Sequence, residues 1–297
     1  MAEIEQEFTE ITLSVPWGHI AARTYGSPTG KRVLVMHGRL DNLGSFTRLM
    51  KYLPKESFYY VCIDLPGHGW SSHFPSWMMI DFMDYAHTLH FILDALQWET
   101  CICIGHSMGA SITLVFSIFQ PNRIEKLISL DGILFPHMVT ELSTYFTIAS
   151  KLSLNACRDK KSSYTREKAL NILKSVRLGS FNSEAAEAMF ERAVTEVNGK
   201  YIFNRDIRLK NHPFTFMKTN DCQKFTGMLS IPVYLCAASD GLILPYKDHK
   251  EVLELMKTKT MLELTVVDGN HDVHNNNPEK VAPFICKILN NDYANKL

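Results

Sequence analysis

The sequence predicts an α/β architecture: a mostly parallel central sheet flanked by helices, with a helical insertion after the sixth strand. Three observations carry this. Short, continuously apolar, β-branched runs such as Arg32-Val33-Leu34-Val35-Met36 and Tyr59-Tyr60-Val61-Cys62-Ile63 have the pattern of strands covered on both faces. Segments with helical spacing alternate with them, as right-handed βαβ crossovers require. Between about Ile133 and Cys222 the alternation stops, and a polar, helix-rich stretch precedes the return of the strands. The core is therefore expected to be 1–132 with 223–297, and 133–222 a helical cap (lid) over one edge of the sheet.

In chain order, Phe8 to Val15 and His19 to Tyr25 flank the turn Pro16-Trp17-Gly18 as an antiparallel pair. The strand at 32–36 leads into His37-Gly38-Arg39-Leu40-Asp41-Asn42, and a helix is predicted from Ser45 to Leu53, stopping at Pro54. After the strand at 59–63, residues 81–97 place Phe82, Tyr85, Leu89, Ile92, Leu93 and Leu96 on one helical face. Cys101 to Ile104 and Lys126 to Asp131 are further buried strands around an apolar helix. Within the insertion, Arg166–Val176 and Glu184–Val197 are the clearest helices, and Lys200 to Asn204 is the one stretch with strand character. Pro232 to Ala238, Tyr246 to Met256, Leu262 to Val267 and Glu279 to Leu289 then read as strand, helix, strand and helix.

Composition narrows the function. Of 297 residues, 31 are Lys or Arg and 31 Asp or Glu, so a net charge of zero gives no electrostatic case for nucleic acid or an anionic membrane surface. The acidic start, Met1 to Glu7, lacks the basic segment and apolar run of a secretory signal, and no stretch reaches the ~18 apolar residues of a membrane span. Seven cysteines, an odd count without C-x-x-C spacing, read as reduced packing residues. The expected location is cytoplasmic. Asn295-Lys296-Leu297, one substitution from the Ser-Lys-Leu address, gives a peroxisomal alternative.

The chemistry centres on Gly105-His106-Ser107-Met108-Gly109, a G-x-S-x-G pentapeptide between a buried strand and an apolar helix. Small residues two positions either side of Ser107 permit a reversal so sharp that the hydroxyl stands clear of the backbone. The following helix N-terminus favours negative charge beside it. Ser107, Asp240 and His271 each stand at the carboxyl end of a different strand, as nucleophile, acid and base respectively. Asp131, also at a strand end, is the alternative acid, and Asp240, which could instead simply cap a turn with Gly241, is preferred to it; His274 is the alternative base, and the Gly-x-His placement directly after the strand favours His271. Backbone N–H groups of Arg39 and Met108 are the expected oxyanion hole. His37, His68 and Asp64 read as loop-bracing residues. No metal or cofactor is expected: His271, Asp272 and His274 are metal-ligand types, but a catalytic zinc needs three protein ligands with an open position, and the triad already accounts for His271.

These motifs, with Asp64-Leu65-Pro66-Gly67-His68-Gly69-Trp70-Ser71-Ser72 and Gly269-Asn270-His271-Asp272-Val273-His274, resemble the α/β-hydrolase superfamily over nearly the whole chain. Leu40-Asp41-Asn42 and Tyr201-Ile202-Phe203-Asn204-Arg205-Asp206 are similar to the serine hydrolase-like (kraken-like) proteins, which usually have Trp at the position of Arg39 and a second Gly at that of Ala110. The resemblance implies a hydrolase, cytoplasmic or peroxisomal. Haloalkane dehalogenases and epoxide hydrolases resemble the layout but use Asp where this chain has Ser107. The expected reaction is hydrolysis of a carboxylic ester or thioester of a small to medium uncharged molecule. Insertion residues Phe135, Met138, Tyr145, Phe146, Met189, Phe190 and Phe203 are candidates to line its pocket. The alternative is a small-molecule receptor that keeps the pocket with little or no turnover. Oligomeric state has no signal in the sequence.

Overall fold

The computed structural model describes residues 8–134, 142–158, 161–175, 181–210 and 219–294. The chain enters through an antiparallel hairpin, β1 (Thr9–Val15) and β2 (Gly18–Gly26), paired from Thr9 opposite Thr24 to Val15 opposite Gly18. Then come β3 (Lys31–Met36), β4 (Phe58–Ile63), α1 (Phe82–Ala95), β5 (Cys101–His106), α2 (Met108–Phe119) and β6 (Ile124–Leu130). The insertion supplies α3 (Leu142–Ala156), β7 (Ser163–Tyr164), α4 (Arg166–Ser175), α5 (Ser183–Ala193), β8 (Val194–Val197), β9 (Lys200–Phe203) and α6 (Thr219–Thr226). The chain closes with β10 (Val233–Asp240), α7 (Lys247–Lys259), β11 (Leu262–Asn270), the single turn α8 (Val273–Asn276) and α9 (Pro278–Ala294).

Eight strands form one sheet in the order β1-β2-β4-β3-β5-β6-β10-β11, antiparallel through β1, β2 and β4 and parallel beyond. The two-sided burial read from the apolar runs is met by the period of the strand. Leu34 and Met36 of β3 join a core with Leu89 and Leu93 of α1, Val115 of α2 and Val252 of α7. Val33 and Val35 face the other way, into a core with Phe46, Leu49, Ile285 and Leu289. α1 starts where the sequence places it because Asp81 accepts from the Met83 N–H at 2.9 Å while Asp84 reaches back to the Asp81 N–H at 2.6 Å, a reciprocal cap.

Two predicted elements differ. Instead of a helix over 45–53 there are two 3-10 turns, Leu43–Phe46 and Leu49–Lys51. Asn42 starts the first by accepting from the Gly44 N–H, and its amide donates to the Met189 carbonyl at 3.0 Å, so this segment is shaped by α5 packed on it. The helix predicted over 184–197 ends at Ala193. Val194–Val197 is a strand hairpinned to β9 through Asn198-Gly199, both at positive φ (51° and 72°), the backbone of a two-residue primed turn. With β7 these make a three-stranded antiparallel sheet, so the insertion is not purely helical.

Buried ions tie the insertion to the sheet. Arg192 of α5 donates to Asp64 Oδ2 from Nε at 2.9 Å and from Nη1 to both oxygens of Glu10 at 3.0 Å, and its guanidinium lies 3.9 Å from the Trp70 ring centre. Asp64 is fully enclosed. Burial pushes its carboxyl above the usual carboxylate range, against the opposing charge of Arg192 and the N–H groups of Leu43 and Trp70. Arg208 is likewise buried, paired twice with Asp206 and donating to the carbonyls of Phe74, Pro75 and Met78.

Removing one partner of such a pair leaves an uncompensated interior charge. Arg192→Ala is therefore expected to lower the unfolding free energy by about 3–5 kcal/mol in urea titrations. A loss below about 1 kcal/mol, the worth of an exposed pair, would mean that backbone N–H groups alone satisfy Asp64.

Candidate active site

The carboxyl ends of β5, β6, β10 and β11 lie side by side, and the chain bears the site residues on the loops leaving them. Ser107 occupies the turn between β5 and α2 at φ 50° and ψ −115°, a conformation that L-residues rarely adopt. Its N–H donates to the Leu130 carbonyl at 3.1 Å, fixing the turn against the end of β6. The turn is tight for a definable reason: a Cβ on Gly109 would stand 2.5 Å from the Met36 carbonyl oxygen of β3.

His271 follows β11 directly and is buried, 7% exposed. Its Nδ1 lies 2.6 Å from Oδ2 of Asp131. The carboxylate is itself almost wholly enclosed and accepts backbone N–H bonds from Ala238 at 3.1 Å and Leu242 at 2.9 Å. Since a carboxylate offers no proton, the imidazole donates from Nδ1, which leaves Nε2 able to accept a proton.

The structure brings the alternative carboxylate, not Asp240, to His271. Asp131, at the end of β6, meets the imidazole, whereas Asp240 is an exposed residue at the tip of β10. Strand length decides this. β6 pairs with β10 only as far as Leu130 opposite Cys236, and β10 runs on until Asp240 lies opposite Asn270. Asp240 thus overhangs its neighbour into solvent, while Asp131 sits recessed beside the bend of the chain after Asn270. The Ser239-Asp240-Gly241 turn serves Asp131 instead: a Cβ on Gly241 would fall 2.3 Å from its Oδ2.

The alternative base is displaced inward. His274 is fully buried in α8, its ring 5.0 Å from that of Phe46 and 4.0 Å from that of His106. The Gly38-Arg39 peptide borders the serine, since a Cβ on Gly38 would stand 3.1 Å from Ser107 Cβ. Met108 is the first residue of α2. The Arg39 guanidinium donates to the Leu209 carbonyl at 3.4 Å, linking this loop to the insertion. His37 and His68 brace loops: His37 Nε2 accepts from the Leu65 N–H at 2.9 Å, and His68 Nε2 from the Leu40 N–H at 3.2 Å.

Behind the serine lies a buried set that the motif reading passed over. Among the described residues, Asp41, His106 and Asp272 are the group whose ligand-type atoms come within 4.8 Å of one another. His106 Nε2 is engaged with the His271 carbonyl at 2.9 Å, and Nδ1 faces Asp41 Oδ2 at 3.5 Å, so both ring nitrogens point at protein oxygens. Each member lies in a motif quoted above, and nothing in the sequence shows that the three meet.

The candidate pocket residues divide. Phe135 and Met138 lie outside the described residues. Phe190 and Phe203 pack with Tyr164 and Tyr201 in a separate small core of the insertion, Met189 is buried with Phe181 and Ala185, Tyr145 is buried with its hydroxyl 2.6 Å from Asp81, and Phe146 is exposed. Most of these side chains therefore hold the insertion together.

The chain matches the family model described as alpha/beta hydrolase fold over residues 31–278. It is 34% identical over 297 residues to a serine hydrolase-like protein of Danio rerio, covering 95% of this chain and 88% of that one. It is 32% identical to serine hydrolase-like protein 2 of Homo sapiens, covering 95% and 94%. The crystal structure of a hypothetical protein from Pseudomonas aeruginosa PAO1 superposes with a TM-score of 0.84 at 28% identity, over 96% of this chain and 99% of that one. The chain belongs to the α/β-hydrolase fold family and, within it, to the serine hydrolase-like proteins.

Proposed function

We propose that the protein is a serine hydrolase, carboxylesterase-like, that cleaves an ester or thioester of a small to medium uncharged molecule through Ser107, His271 and Asp131. The observation that carries this reading is the 2.6 Å contact between His271 Nδ1 and buried Asp131, on the loop that neighbours the strained Ser107 turn. Ser107 Oγ attacks the substrate carbonyl carbon as His271 Nε2 takes its proton. The carbonyl oxygen becomes an oxyanion held by the N–H groups of Met108 and Arg39. Collapse breaks the bond to the leaving alcohol or thiol, which receives the proton from His271, and leaves an acyl-serine. Water, deprotonated by the same imidazole, adds to the acyl carbon; the bond to Ser107 Oγ then breaks, Oγ takes the proton back from His271, and the acid is released. Asp131 keeps Nδ1 protonated throughout and balances the imidazolium that forms. Residues 133–222 act as the cap, and 1–132 with 223–297 as the hydrolase core. No metal or cofactor enters these steps, and the location proposed is the cytoplasm, with the peroxisome as alternative.

Fluorophosphonate labelling tests the nucleophile. Rapid modification of Ser107 is expected, lost in Ser107→Ala and His271→Ala; an unreactive Ser107 in folded protein would instead assign a small-molecule receptor.

The acid has its own test. Asp131→Asn is expected to lower kcat by about 10⁴, because the amide favours the wrong imidazole tautomer, while Asp240→Asn leaves it unchanged. The reverse ranking would return the role to Asp240.

Pocket shape is read by initial rates on p-nitrophenyl acetate, butyrate and long-chain esters. Rates are expected to fall with chain length; equal rates on all three would remove the size preference.

A further inference from the structure

Resting on that reading, we infer that His106 is a positioning residue for the reaction, one imidazole that spaces the nucleophile, the base and the oxyanion loop. Two contacts made by a single buried ring, and its place in the chain, carry this. First, His106 Nε2 lies 2.9 Å from the backbone carbonyl of His271. A carbonyl has only lone pairs, so Nε2 carries the proton and donates it. Second, His106 immediately precedes Ser107, so the residue that grips the base's backbone is covalently joined to the nucleophile. Third, a Cβ on Gly38 would stand 2.8 Å from His106 Nδ1, so the ring also sets how closely the Gly38-Arg39 peptide approaches Ser107.

The geometry divides the labour. Asp131 fixes the imidazole end of His271, and a side chain held only at its tip still follows any shift of its own backbone. His106 fixes that backbone. The two contacts together define both ends of the base, with the ring of His106 4.6 Å from that of His271. His106 is itself held from every side. Asp41 Oδ2 faces Nδ1 at 3.5 Å, Asp272 Oδ1 lies 3.9 Å from Nε2, and the His274 ring packs at 4.0 Å. All are buried, so little free volume remains for the ring to turn into. A misplacement of about 1 Å between nucleophile and base costs on the order of 10²-fold in rate, so a contact remote from the substrate can govern turnover.

Two amide substitutions separate positioning from packing. In His106→Gln the side-chain NH₂ reaches the place of Nε2 and can still donate to the His271 carbonyl; in His106→Asn it reaches only the place of Nδ1. Fluorophosphonate labelling and p-nitrophenyl ester kinetics on full-length protein are the readouts, with thermal melting as the folding control. The Gln variant is expected to label and turn over within about threefold of wild type. The Asn variant is expected to lose about 10²-fold in kcat and labelling rate, with KM within about twofold. Equal rates in the two variants, or a loss that appears in KM with kcat unchanged, would overturn the inference. If both variants melt before assay temperature, ¹⁵N-histidine spectra of the wild type decide it, since a protonated Nε2 on His106 is required and the other tautomer sinks the proposal. Failure of the underlying reading is distinct, because wild-type protein would then fail to label at Ser107.

Discussion

A carboxylate removed from water must be surrounded by donors, and in this molecule that requirement fixes the geometry at the edge of the sheet. Asp131 has the N–H groups of Ala238 and Leu242 and the Nδ1 of His271 around its two oxygens. The donors come from two further strand-to-loop junctions, so the carboxylate is satisfied only when β6, β10 and β11 are stacked in parallel and in register. Burying a lone ionised carboxylate costs several kcal/mol. The interaction that orients the His271 imidazole is thus also the one that penalises any slip of these strands. Stability of the edge and alignment of the imidazole are one constraint.

The insertion is held by the same principle. Arg192 enters from α5 to meet Asp64 at the end of β4, and Arg208 folds back on Asp206 while capping three carbonyls of the loop at 74–78. Neither pair adds much net stability over apolar residues of equal volume. What they supply is placement. A greasy contact between insertion and core would slide, whereas a guanidinium fork bonded to carboxylates and carbonyls at fixed positions tolerates little displacement. Arg39, reaching from the loop beside Ser107 to the carbonyl of Leu209, belongs to the same set of ties.

The parallel strands were legible in the sequence because each is buried on both faces, so the apolar run itself is the signature; β3, β4 and β5 lie within a residue or two of where the residues place them. The serine turn was legible because its small flanking residues answer a local steric need. The acid was not. Asp131 and Asp240 both follow apolar runs and both precede or adjoin glycine, and no local feature separates them. What separates them is how far β10 extends past β6, a property of two strands far apart in sequence. Val194–Val197 failed for the opposite reason: Asn198-Gly199 is a strong hairpin signal, masked by a helical pattern running into it from α5. The buried group around His106 has no periodicity at all, since its members arrive on the end of β5 and on two separate loops.

Backbone strain follows the same map. Among the described residues, five non-glycine residues have positive φ, and three of them, Leu40, Ser107 and Asp131, sit just beyond the carboxyl ends of β3, β5 and β6. Each such conformation costs about 1–3 kcal/mol and survives only where its surroundings over-determine it. Here they do. Ser107 is tied through its N–H to Leu130, Asp131 through its N–H to Cys236 at 2.8 Å, and Leu40 through its N–H to His68. Each strained residue therefore hands its backbone donor to a neighbouring strand or loop, so relaxing one means breaking a bond to the next. Each strained turn is thus pinned to a different neighbour, and the sheet and loops around it hold a conformation it would not keep alone.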